Sequence, residues 1–84
     1  MQSTLNRVLS TTGIVFGVDR SQIGADTMIA ENLNADSIEV AEFAINLEKE
    51  FEVSIALDEI TSASSLGRIT EIIEEKLAKK IKAE

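Results

Sequence analysis

The chain has 84 residues, 44% of them hydrophobic, with a net charge of −7. That length supports one small domain (residues 1–84) around one core. The absence of both Cys and His excludes disulfides, thiolate metal centres and any Ser-His or Cys-His nucleophile pair, so no catalytic or metal-binding set is expected.

In chain order, Leu5, Val8, Leu9, Thr12, Val15 and Phe16 follow the i, i+3, i+4, i+7 rhythm of a helix with one buried face. Ser3 or Thr4 can cap its start, and Gly17 can end it in the left-handed conformation. Gly13 is a weak point within it, costing about 1 kcal/mol relative to Ala. Residues 18–35 read as a long connection without periodicity, a length that is often functional in a small domain. Ile23, Met28, Ile29 and Leu33 are expected to pin it to the core.

The second helix is expected over Ser37–Phe51. Asp36 suits its N-cap, because its carboxylate can accept from an amide one turn on. Glu39 stands three residues later, as in a capping box. Ser37 then occupies the first helical position, an exposed and rigidly placed hydroxyl with no catalytic partner. Such a serine is better suited to being modified than to attacking a substrate. Val40, Phe43, Ala44, Leu47 and Phe51 form one apolar stripe, the expected core face. Ile38, Ala41 and Ile45 form a second patch bordered by Glu42 and Glu48. It either packs on the loop and last helix or serves as a small docking surface.

Val53, Ile55 and Leu57 lead into a short helix expected over Asp58–Ser62. Ser64 or Ser65 can cap the last helix, whose apolar positions are Leu66, Ile69, Ile73 and Leu77, with Ile72 beside them. Lys76, Lys79, Lys80 and Lys82 load its C-terminal end, favourably for the helix dipole. The expected fold is all-α. It is a small antiparallel four-helix bundle with three longer helices, one short helix and a long loop between helices one and two.

Ten acids and one base, Lys49, lie between Asp26 and Glu59. This block opposes nucleic-acid binding and favours partners with basic surfaces. No apolar run reaches the roughly 20 residues of a membrane span, and the N-terminus lacks the pattern of a secretory signal. A soluble, cytoplasmic monomer without stable membrane insertion is expected.

Asn34-Ala35-Asp36-Ser37-Ile38 resembles the Gly-Ala-Asp-Ser-Leu motif of acyl carrier proteins. Leu47-Glu48-Lys49-Glu50-Phe51 is similar to that family's Leu-Glu-Glu-Glu-Phe, and residues 26–33 resemble the loop ahead of its motif. The resemblance covers essentially the whole chain and implies a carrier, not an enzyme. It implies that Ser37 bears 4′-phosphopantetheine as a phosphodiester, installed by a magnesium-dependent phosphopantetheinyl transferase, with Asp36 beside it. The arm's thiol then holds acyl groups as thioesters for fatty-acid, lipid or polyketide-type synthesis. Partners would be acyl-transferring and synthase enzymes with basic docking surfaces. They would meet Ile38, Glu39, Ala41, Glu42, Ile45 and Glu48. Acyl chains can slip between the helices in this family, here into a space expected among Val40, Phe43, Ala63, Leu66 and Ile69.

The sequence departs from the family at Asn34, at Ile38 for Leu, at Lys49 for Glu, and at Ala56 and Ala63 for Pro and a larger aliphatic residue. These departures suggest a specialised carrier. An aminoacyl, peptidyl or D-alanyl carrier is the neighbouring reading, and an unmodified acidic interaction module the reading from another class.

Overall fold

Helix α1, Thr4–Phe16, starts where the Ser3 hydroxyl accepts from the Asn6 amide and stops where Gly17 turns left-handed at φ 66°. Those local rules fix both ends of the element against which the rest packs. The computed structural model describes residues 3–56, 58–61 and 64–82, with side chains through residue 80. The other α-helices among these are α2, Ile29–Leu33; α3, Ser37–Phe51; and α4, Leu66–Lys82.

Helix α1 packs against both α3 and α4. Near its start, the Arg7 guanidinium lies 4.3 Å from the centre of the Phe51 ring, at the end of α3. At its other end, Phe16 meets Phe43 edge to face at 5.4 Å. Progress along α1 thus runs backward along α3, and the two are antiparallel. Helix α4 ends near the end of α3, where Lys80 Nζ donates to the Glu52 carbonyl. One apolar cluster fills the centre, including Val8, Leu9, Phe43, Leu47, Leu66, Ile69 and Ile73. The expected stripes of the three long helices supply most of it, and each buried aliphatic side chain contributes about 1.5–3 kcal/mol.

The connection between α1 and α3 is more ordered than its sequence suggests. It holds a 3-10 turn, Arg20–Gln22, capped by Asp19, and then α2. Ile29 is fully buried, while Ile23 packs at the edge of the core. Backbone pairing with the start of α4 does the rest. The Ile29 amide donates to Ser64 O, Leu66 N to Thr27 O and Gly67 N to Ala25 O, around an isolated Met28–Ser65 bridge. Gly67 suits this contact, because a Cβ there would stand 3.1 Å from the Ala25 oxygen and push the paired backbone back by a few tenths of an ångström. Gly13, a liability by propensity, has the same explanation: the Val18 carbonyl approaches to where its Cβ would be.

Among the described residues the one short α-helix is therefore α2, inside the connection. The short helix expected at Asp58–Ser62 is not formed over its described residues 58–61. Here Glu59 N donates to Ala56 O while the Glu59 carboxylate accepts from Ala56 N, closing a single turn from both sides. Asp58 caps nothing. Thr61 and Ser64 repeat the pattern, with Ser64 N on Thr61 O and Thr61 N on the Ser64 hydroxyl. Ser65 is the residue that caps α4, accepting from Arg68 N. Leu57, Ser62 and Ala63 lie outside the described residues.

Two tests follow from this geometry. Glu52 ends α3 in the left-handed conformation, φ 55°, which disfavours any residue with a Cβ by about 1–2 kcal/mol. Glu52→Gly is expected to stabilise the fold by about 1 kcal/mol, raising Tm by roughly 5 °C.

Glu59 supplies the second test. The hydrogen bond from Lys76, then that from Ala56 N, holds its carboxyl below the ordinary value of 4.5. A depressed folded pKa adds stability above the unfolded value that is lost as pH falls through the folded one. Melting curves below pH 4.5 should fall more steeply for the native chain than for Glu59→Gln. Equal slopes would show that the Lys76 contact is not maintained in solution.

Candidate functional site

The start of α3 is built by three neighbouring residues. Asn34 ends α2 in the left-handed region, φ 55°, which Asn tolerates better than most residues. Asp36 is extended and caps α3. Its Oδ1 accepts from Glu39 N at 2.8 Å, and Glu39 Oε1 accepts from Asp36 N at 3.2 Å. The capping box is thus complete in both directions. Ser37 follows as the first residue of α3 and is exposed. Its hydroxyl has no hydrogen-bond partner among the described residues, so it is available to an incoming enzyme. The first amides of α3 have no acceptor within the helix. With Glu39 N taken by Asp36, a phosphate attached at Ser37 would meet the amides of Ser37 and Ile38 and the positive end of the helix dipole. The donor set therefore fits a phosphodiester.

Beside Ser37 opens a cleft of about 440 Å³. It is lined by the apolar Ala35, Val40, Ala41, Ala44 and Ile60 and by the hydroxyl residues Ser37 and Thr61. The three alanines leave the space. Of the residues expected to line a pocket, only Val40 does so. Phe43, Leu66 and Ile69 are fully buried in the core cluster and do not line the cleft. Ala63 lies outside the described residues. The missed residues carried a readable signal, since Ser37, Val40, Ala41 and Ala44 are spaced i, i+3, i+4, i+7. Ile60 and Thr61 reach the site only through the turns ahead of α4.

Ile38 and Ile45 are 69% and 49% exposed, so this patch is not covered by the connection or by α4. Ala41 turns partly away from them into the cleft. Glu42 is exposed, and its carboxylate has no partner among the described residues. Glu39 is committed to the capping box. Glu48 Oε2 accepts from Ile55 N at 2.7 Å, so this carboxylate also organises the chain after α3. The expected acidic rim is thereby reduced to one unengaged carboxylate, with two others held in fixed orientations. No helix of the described residues is long and apolar enough to cross a membrane.

Residues 6–80 match the family described as the phosphopantetheine attachment site. The acyl carrier protein of Phaeodactylum tricornutum is 32% identical, aligned over 87% of this chain and 92% of its own length. That of Guillardia theta is 30% identical over 92% and 95%. That of Thermotoga maritima is 29% identical over 90% and 94%. With the match running through all three long helices and near-complete in both directions, the chain belongs to the acyl carrier protein family, whose members carry covalent 4′-phosphopantetheine and are carriers rather than catalysts.

Proposed function

We propose that Ser37 is the attachment residue and that the chain carries acyl intermediates for fatty-acid, lipid or polyketide-type biosynthesis. The observation that carries this reading is the unpartnered Ser37 hydroxyl, fixed at the start of α3 by the Asp36–Glu39 capping box, beside an apolar cleft. When bound, the phosphopantetheine supplies a terminal thiol that holds the acyl group as a thioester. The protein's own residues do the remaining work. Asp36 and Glu39 hold the backbone on which the hydroxyl is presented. The free amides of the first turn receive the phosphate charge. Val40, Ala44 and Ile60 offer an aliphatic chain an apolar surface, which supports acyl over aminoacyl cargo.

Incubation with a phosphopantetheinyl transferase, coenzyme A and magnesium is expected to add one phosphopantetheine, read as intact mass. Ser37→Ala should add none. Modification of the Ser37→Ala protein would move the attachment site elsewhere. The intact mass of protein taken from its native cell reports the cargo as well.

Docking of the transferase is steered, in this reading, by the negative face of α3, with Ile38 and Ile45 as its apolar centre. Exposed charges act over about 8–10 Å at moderate salt, so Glu42 should govern encounter more than residence. Glu42→Lys is expected to slow association by about two- to tenfold with an unchanged Tm. An association rate indifferent both to this substitution and to salt would exclude the face.

A further inference from the structure

Ile38, Glu42, Ile45 and Lys49 are separated by four, three and four positions, so they share one face of α3. The face changes sign along its length. Its Ser37 end carries the charge of Glu42. Its far end carries Lys49, the one base between Asp26 and Glu59. Among the described residues the Lys49 ammonium has no hydrogen bond or ion-pair partner, unlike Arg7, Arg68 and Lys76.

Lys49 borders a groove of about 220 Å³ between α1 and α3, together with Thr11, Ile14, Asn46 and Glu50. Ile14 is 82% exposed, more than any other large apolar residue described. The Glu50 carboxylate does not neutralise Lys49, because Arg7 Nε holds it at 2.9 Å while Arg7 Nη2 donates to the Glu50 carbonyl. An exposed apolar side chain and an ammonium without an ion-pair partner among the described residues therefore meet at one place, on the α1 side of α3.

We propose that the groove between Ile14 and Lys49 is a second recognition point for partner proteins, taking an apolar side chain with a carboxylate beside it. Glu42 and Lys49 stand about 10 Å apart along the helix, seven residues at about 1.5 Å each. That exceeds the screening length of about 8 Å at physiological ionic strength, so a partner meets the two charges separately. The matching surface has a base opposite Glu42 and an acid–apolar pair about 10 Å away. A uniformly basic surface is attracted at one end and repelled at the other, which makes Lys49 a discriminating residue. A second copy of the chain could pair Lys49 with Glu42 in both directions. Two chains of net charge −7 repel, which opposes that pairing. The fitting occupant is a different protein.

The test uses the unmodified chain, so its outcome is independent of the Ser37 assignment. Two helical peptides serve as probes. Each carries a Lys and, one turn away, a Leu; the residue one turn beyond the Leu, two turns from the Lys, is Glu in one peptide and Lys in the other. Backbone amide shifts of the protein are followed by NMR during titration. The Glu peptide is expected to bind about three- to tenfold more tightly than the Lys peptide. Its saturable shifts should include Ile14, Asn46 and Lys49. Lys49→Glu should invert the order of the two peptides, and Ile14→Ser should weaken the Glu peptide. Both substitutions are at exposed positions, and melting curves verify that the fold is kept. Equal affinities, no saturable shift at those amides, or an unchanged order in Lys49→Glu would each overturn the proposal. Concentration-dependent shifts of the same amides without peptide would assign the face to a second copy and overturn it equally.

Discussion

The pairing between the first connection and the start of α4 is the constraint on which the site depends. A connection without a helical period of its own must be held still if it is to aim the helix that follows it. Four consecutive residues at the start of α4, from Ser64 to Gly67, pair with the segment from Ala25 to Ile29. Ile29 then enters the core as the first residue of α2. Helix α2 ends at Asn34, and only two residues separate that turn from Ser37. The position of the serine is thus inherited from α4 through a short, fully bonded relay. Gly67 matters to the site although it is far from it in sequence, because its missing side chain lets the relay close without pushing the paired backbone back.

What was legible in the sequence follows from the range of the interactions involved. The three long helices are set by periodicity, and their caps act over three residues. Ser3, Gly17, Asp36 with Glu39, and Ser65 could therefore all be read locally. Ser37 was legible for the same reason. Helix α2 was not, since five residues are too few to display a period, and its start is tied by the Asn32 side chain to Met28 N. Asp58 resembled a helix cap, but Glu59 reaches back to Ala56 and spends the turn on itself. The cleft was only half legible. Its α3 wall lies in the spacing of Ser37, Val40, Ala41 and Ala44, while Ile60 arrives from a segment placed by tertiary contacts. Glu48 read as a surface acid because its partner, the Ile55 amide, lies seven residues on in irregular chain.

Side chains that reach back three residues recur through the molecule. Thr27 does so to Gly24, Glu39 to Asp36, Glu59 to Ala56 and Ser64 to Thr61. Each satisfies an amide that irregular backbone would otherwise leave to water. This device gives order to loops that have little apolar surface to bury. It also accounts for Ala56, where the family commonly has Pro. The turn here uses the Ala56 amide as a donor, and Pro has none.

Glu59 ties the turn at Ala56 directly to α4. One of its oxygens is shared by the Ala56 amide and by Lys76 of α4, while the adjacent Ile60 lines the cleft. The ion pair is only partly shielded from solvent, so its strength is modest and screened by salt. The side of the cleft opposite α3 is thus held in two ways, by Ile60 packed in the core and by a surface contact that water and ions can reach. Salt and acid act on the second hold and leave the first untouched, so the two grip the cleft with unequal sensitivity to the solution.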